Sequence, residues 1–169
     1  MFAIETERLI IAEFTMDMAE DVHKNSLDAD NRRFVPDEVF ETVEEAEETV
    51  RFLLSRYETA DGPFVYPVLL KTGENIGYVQ AVSVGDGWEI GYHIAKPYTG
   101  RGYAAEAVSA FLPWIAGRLQ ADRITGICLR ENIASARVME KCGFTPVFSG
   151  QGQYQGEIRD IIQMQWKRP

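Results

Sequence analysis

Residues 88–107 read WEIGYHIAKPYTGRGYAAEA, and this stretch decides the fold. Trp88 to Ile94 alternate as a strand does, Lys96 and Pro97 lead into a turn carrying Gly100 and Gly102, and an alanine-rich segment of helical spacing follows. The order predicted is strand, glycine turn, helix. Backbone N–H groups at such a helix start lack partners and sit at the positive end of the helix dipole, so the turn favours a phosphate. Glycine at 100 and 102 removes the Cβ atoms that would hold a pyrophosphate off the backbone, and Arg101 offers a charge-assisted contact.

Around this turn the pattern extends in both directions. Strand candidates at 64–70, 76–84 and 88–94 are separated by the turn signals Thr72-Gly73-Glu74-Asn75 and Gly85-Asp86-Gly87, which predicts an antiparallel meander. After the turn, Ala104, Val108, Phe111, Leu112, Ile115 and Leu119 mark one helix face, with Pro113 inside it predicting a lost hydrogen bond and a kink. Residues 123–129 read as a strand, completing a β-α-β crossover with 88–94 and hence one parallel pair. Asn132 caps a helix that runs to Lys141, and Gly143 suits a left-handed cap behind it. Strands near 145–148 and 158–166 bracket the polar turn GQGQYQGE.

Upstream, 6–14 reads as a first strand. Thr15 or Asp17 caps a short helix through about residue 28, and 29–41 reads as a loop. Thr42 and Glu45 form a capping box for a second helix, whose inner face is Val43, Ala46, Val50, Leu53, Leu54 and Tyr57. Asp61, Gly62 and Pro63 stop it.

At 169 residues, 46% of them hydrophobic, the chain predicts one domain spanning 1–169, without room for an additional cofactor domain. No apolar run approaches the ~20 residues of a membrane span, and Glu5, Glu7 and Arg8 interrupt the N-terminus where a leader needs an apolar core. The expected setting is the cytoplasm. A net charge of −9 argues against nucleic acid as partner. Seven carboxylates fall between Asp37 and Glu48 with no Lys or Arg among them, which reads as a solvated helix face or as a negative rim that draws a cationic amine. Cys128 and Cys142, outside any CxxC pair, fit buried reduced thiols better than a disulfide or metal site.

Gly100, Gly102 and Ala105 also fit the dinucleotide fingerprint GxGxxA. Against it stand the preceding antiparallel meander, the short chain, and Asp122, which has the right separation but precedes the next strand instead of ending it. A second signature decides. ENIASARVMEKCGF, one strand after the glycine turn, places Asn132, Ser135, Val138, Lys141, Gly143 and Phe144 as in the second acyl-CoA motif of the GCN5-related N-acetyltransferases (GNAT). With TERLIIAEF, WEIGYHI and YTGRGYAAEA, the chain resembles that family from Thr6 to Trp166, and most of all its branch of ribosomal-protein N-terminal acetyltransferases (RimJ/RimL type).

The resemblance implies an α/β acyl-CoA N-acyltransferase fold, mostly antiparallel with one parallel pair at the CoA gap and helices on both faces. It implies direct transfer from acetyl-CoA to a primary amine in a ternary complex, with no metal. The pyrophosphate is expected on the N–H groups of Gly100, Arg101, Gly102, Tyr103 and Ala104, and the pantetheine arm beside His93, Ile94 and Ala95, with Asn132, Ser135 and Lys141 contributing. Thr99 stands where the family favours Gln or Arg.

Acetylating an ammonium ion requires removing a proton, stabilising charge on the thioester oxygen and protonating the leaving thiolate. Glu89 aligns with the family's base position and shares a strand face with Gly91 and His93; it is also open to a purely ordering role or an ion pair. The backbone N–H of His93 or of Ile94 is the implied oxyanion donor. Met139 replaces the wider family's thiolate-protonating Tyr, and Ser135 is the implied substitute, a residue equally able to bond its own backbone. On the acceptor side, Asp37 and Glu38 are candidates to hold the ammonium and Phe34 or Phe40 to pack beside it, against an ordinary solvated loop. The acceptor is a protein N-terminus or a small amine such as a polyamine, amino acid or aminoglycoside, and the acidic run favours the small amine. The alternative function is an acyl-CoA-binding regulatory or interaction module without turnover. Monomer and homodimer both fit.

Overall fold

The computed structural model describes residues 3–169. Met1 and Phe2, which begin the N-terminal stretch read against a leader, lie outside the described residues. In chain order come β1 (Ala3–Glu5), β2 (Leu9–Ala12), α1 (Ala19–Ser26), α2 (Ala29–Phe34), α3 (Val43–Arg56), β3 (Phe64–Leu70), β4 (Asn75–Val84), β5 (Gly87–Ile94), α4 (Tyr103–Leu119), β6 (Arg123–Leu129), α5 (Ile133–Lys141), β7 (Thr145–Tyr154) and β8 (Glu157–Lys167). Single 3-10 turns fall at Met16–Met18, Pro36–Glu38 and Lys96–Tyr98.

The strands form one sheet ordered β1-β2-β3-β4-β5-β6-β8-β7, antiparallel throughout except for β5 beside β6. This is the mixed α/β architecture expected of the chain. Side chains alternate across the meander, so Val65, Gln80 and Gly91 share one face while Tyr66, Val79 and Tyr92 share the other. The first face carries α1 and α3. On the second, Tyr66 packs against Phe111 and Trp114 of α4. The buried core includes Leu9, Ile11, Val50, Tyr66, Ile76, Phe111, Leu112, Ile115 and Ile124. The exposed Pro113 sits within α4, which continues through it.

Four segments differ from the sequence reading, each for a local reason. The helix expected to be capped by Thr15 or Asp17 and to reach about residue 28 is a 3-10 turn followed by α1, which ends at Ser26. Among the described residues neither start has a side-chain cap bond, because the Thr15 hydroxyl bonds Asp17 instead. The first strand is only Leu9–Ala12, and Ala3–Glu5 folds back to pair with it. Between them the Thr6 hydroxyl accepts the Leu9 N–H at 3.0 Å and donates to Glu106 at 2.7 Å, closing a turn that no Gly or Pro announces. The 29–41 segment is not all loop, because Asp28 caps α2 by accepting the Asn31 N–H at 2.6 Å and Pro36 opens a 3-10 turn. At six residues α2 is too short to show a period. The polar GQGQYQGE stretch is largely strand, β7 reaching Tyr154 and β8 starting at Glu157, so that the turn is only Gln155 and Gly156, both at positive φ. As an edge strand, β7 is exposed along most of its length, so no apolar alternation marks it.

Candidate active site

β5 and β6 pair at only two positions, Glu89 with Thr125 and Ile90 with Gly126. Beyond them the strands part around a cavity of about 510 Å³, with Tyr92, His93 and Ile94 on one flank and Ile127, Cys128, Asn132 and Ser135 on the other. The backbone ladder decides which N–H group faces this gap. Ala95 N–H donates to Ile76 O at 2.8 Å, and N–H directions alternate along an antiparallel strand. His93 N–H, two residues earlier, is therefore directed at β4, and Ile94 N–H is directed into the gap.

At the mouth, Gly100 (φ +78°) and Gly102 (φ +83°) hold left-handed backbone immediately before α4. Among the described residues no side chain caps this 17-residue helix, and no atom lies within 4 Å of where a Cβ on Gly100 would project. The helix start thus presents donors to an open turn, which fits a diphosphate. Arg8 braces the turn: it donates to Arg101 O at 2.9 Å, stacks over Tyr103 at 4.4 Å and pairs with Glu106 at 2.6 Å. Thr99 donates its hydroxyl to Lys96 O at 2.8 Å, so the side chain at this position is committed locally.

Within the cavity Glu89 is half-buried, and burial raises its carboxyl above the ordinary 4.5. Among the described residues it has no ion pair or side-chain hydrogen bond. Opposite stands Ser135, in the first turn of α5, where Asn132 Oδ1 accepts its N–H at 3.2 Å. Its hydroxyl lies 2.8 Å from the Tyr92 phenol, which lies equally close to Ser135 O. Burial raises the Tyr92 phenol well above its ordinary range, so it stays protonated at neutral pH. Met139 is buried below them, because Gly126 has no Cβ to fill the place taken by its sulfur.

The facing side is built by α1, α2 and the Pro36–Glu38 turn. The His93 ring is held by Asp28 at 3.1 Å and Asn25 O at 3.3 Å. Burial pushes the Asp28 carboxyl up, but the His93 contact and the Asn31 N–H outweigh it and hold it below its ordinary value. Burial, reinforced by neighbouring Asp37, raises Glu38 to about 7. Tyr154 of β7 donates to Phe34 O at 2.7 Å, tying the edge hairpin over the cavity.

The structure therefore brings Phe34, Asp37, Glu38, Glu89, His93, Ile94, Thr99, Ala104, Asn132 and Ser135 onto one cavity wall. Gly100, Arg101, Gly102 and Tyr103 form the turn at its rim, and Ala95 is buried behind it. Phe40 lines an adjoining cavity, and Lys141, exposed in the last turn of α5, lines neither. The exposed Glu44, Glu45 and Glu48 lie outside both cavities, so most of the acidic run is a solvated face. Sequence reading missed Tyr92, Arg8 and Gln80. Tyr92 was in plain view, being out of phase with Glu89 and hence on the α5 side, whereas the long-range partners of Arg8 leave no local signal.

Both cysteines are free, Cys128 buried behind Ser135 and Cys142 within reach of the Ser109 hydroxyl at 3.3 Å. Among the described residues no helix is long and apolar enough to cross a membrane.

The chain resembles known proteins in sequence and in fold. The chain is 32% identical over 143 residues to an uncharacterized N-acetyltransferase, YnaD, of Bacillus subtilis (strain 168), covering 83% of this chain and 81% of the relative. A GNAT-family acetyltransferase structure from Bacillus anthracis superposes with a TM-score of 0.84 at 27% identity, covering 98% of each chain. RimL, a ribosomal L7/L12 α-N-protein acetyltransferase in complex with coenzyme A, shares the fold at a TM-score of 0.85 and 19% identity, covering 99% of this chain and 98% of RimL. The acetyltransferase (GNAT) domain family matches residues 8–145, which contain the glycine turn, the parted strands and the Asn132–Ser135 helix start, and the chain belongs to that family of acetyltransferases.

Proposed function

We propose that residues 1–169 act as one N-acetyltransferase domain that moves an acetyl group from acetyl-CoA directly to a primary amine, both substrates being bound together. The observation that carries this reading is the gap beyond the Ile90–Gly126 pair, with an unpaired, half-buried carboxylate on one side and a paired hydroxyl on the other. The N–H groups at the start of α4 would hold the pyrophosphate, and the Ile94 N–H would face the thioester oxygen as it gains charge. Bound acetyl-CoA supplies an activated acetyl group.

The protein's residues then manage protons. Glu89, raised by burial, takes the first proton from the ammonium and releases it to solvent. The amine nitrogen forms the C–N bond as the C–S bond breaks. Ser135, hydrogen-bonded to Tyr92, protonates the leaving sulfur, and the second proton shed by the acylated nitrogen restores the pair. The likeness to RimL, at 19% identity, carries the fold and leaves the acceptor to this chain's own side chains.

The test is coenzyme A release, followed with a thiol reagent, across free-N-terminus peptides, polyamines, amino acids and aminoglycosides. With an active amine, initial velocities in both substrates should give intersecting double-reciprocal lines. Parallel lines would overturn direct transfer.

A further inference from the structure

Among the described residues, three buried side-chain atoms have no hydrogen-bond partner: Asp28 Oδ2, Asn31 Oδ1 and Glu38 Oε2. All three are acceptors, and all belong to residues lining the large cavity. Leaving a buried acceptor unpaired is destabilising, so acceptors gathered at one place call for a donor. His93 already stands 3.1 Å from Asp28 Oδ2, leaving Asn31 and Glu38 open. Glu38 is fixed rather than floppy. Gly91 has no Cβ, so Gln80 leans across it and points its amide at Glu38 Oε1 at 3.3 Å.

Asn31 and Glu38 also line a second cavity, of about 300 Å³, under α1 and α3. Its wall includes Phe14, Val22, Phe40, Leu53 and Val65. Six residues, Asn31, Glu38, Tyr78, Gln80, Val82 and His93, belong to both cavities, so the two meet along this seam. An apolar chamber thus meets the gap along a seam whose residues Asn31 and Glu38 carry buried, unpaired acceptors.

Resting on the acetyltransferase reading above, we propose that the acceptor is a primary amine carrying a single positive charge and an apolar, ring-sized body. The ammonium is held by Glu38 Oε2 and Asn31 Oδ1, and the body fills the chamber under α1 and α3. A polyamine or aminoglycoside would bury further charges in a chamber whose wall is mainly apolar and offers no carboxylate besides Glu38, which is strongly unfavourable. The same chemistry is available from a free arylalkylamine or from a protein N-terminus that begins with a large apolar residue.

The experiment pairs binding with turnover. 2-Phenylethylamine is titrated calorimetrically into enzyme saturated with coenzyme A, and kcat/KM is measured for 2-phenylethylamine, ethylamine, spermidine and peptides beginning with Phe or Ser. 2-Phenylethylamine should bind, and its kcat/KM should exceed that of ethylamine and of spermidine by about 30-fold, the value of burying one ring. Val22→Phe and Thr49→Phe, two independent fillings of the chamber, should each penalise 2-phenylethylamine about tenfold more than ethylamine. A Phe-peptide that outperforms 2-phenylethylamine would assign the same chemistry to a protein N-terminus. A preference for spermidine, or fillings that penalise both amines equally, would overturn the proposal and leave amine acetylation standing. Absence of binding by 2-phenylethylamine overturns it whatever turnover shows. Binding that the fillings abolish, with no coenzyme A released by any amine, would support the chamber and sink the transfer reading alone.

Discussion

The two sides of the gap are made of different materials. On the donor side the proposed contacts would come mainly from main chain: N–H groups at the α4 start, a turn at positive φ, and the Ile94 N–H released where the strands part. On the proposed acceptor side they would come from side chains pressed into the fold, with Glu38 raised to about 7 and acceptor oxygens left unpaired. Main-chain recognition depends on backbone angles and tolerates exchange of side chains. Side-chain recognition depends on identity and charge, so single-atom changes should register there.

The sharpest break in that comparison is Glu89→Gln, at the boundary between the two sides. It removes the proposed base and keeps the shape, so kcat should fall about 10²- to 10⁴-fold while acetyl-CoA affinity, measured by calorimetry, stays the same. In the parent enzyme, Glu89 must be ionised to act, and burial places its titration above 4.5. Activity should therefore decline with falling pH at a point above that value, and the decline should be missing from the residual activity of the variant. Unchanged turnover would remove Glu89 from the mechanism.

Next in size is a stability effect confined to the acceptor side. Folded Glu38 keeps its proton up to about 7, whereas the unfolded chain releases it near 4.5. Between those values the native state binds more protons, so folding is penalised as pH rises through the window and the penalty levels off above it. Glu38→Gln cannot ionise. In the absence of amine it should be more stable than the parent at pH 8, by up to about 3 kcal/mol, with the gain vanishing toward pH 4.5. Denaturant melts at the two pH values decide it; an equal gain at both would mean that the charge is not what is strained.

The same contrast explains what could be read from the chain alone. The donor side is written in contiguous sequence, because a glycine turn, a helix start and the Asn132 cap are each local events. The meander was equally legible, its strands being apolar and its turns glycine-marked, and β3 and β6 fall at 64–70 and 123–129 as expected. The acceptor side joins Asp28, Asn31, Glu38, Gln80, His93 and Tyr154 from five elements and the segments between them, and such a convergence has no sequence period. Glu38 was visible as an acid in an acidic run. What sets it apart from the exposed Glu44 and Glu48 is burial beneath Gln80, which only the tertiary fold supplies.

The smallest effects test the tolerance of the donor side from within a single turn. Thr99→Ala removes a side chain at the position where the family favours Gln or Arg, but that hydroxyl already serves Lys96 O at 2.8 Å. Acetyl-CoA affinity should change by less than about 2-fold, the size expected of an exposed local bond. Gly102→Val leaves every other side chain in place and forces a β-branched residue to φ +83°. A left-handed conformation costs an L-residue roughly 1–2 kcal/mol, so affinity should fall about tenfold as the turn relaxes away from the shape proposed to hold the phosphate. Calorimetry on both variants gives the ratio directly. If Thr99→Ala proved the more harmful of the two, the donor would be held by side chains after all, and the division between the two sides of the gap would fail at the point where it is most explicit.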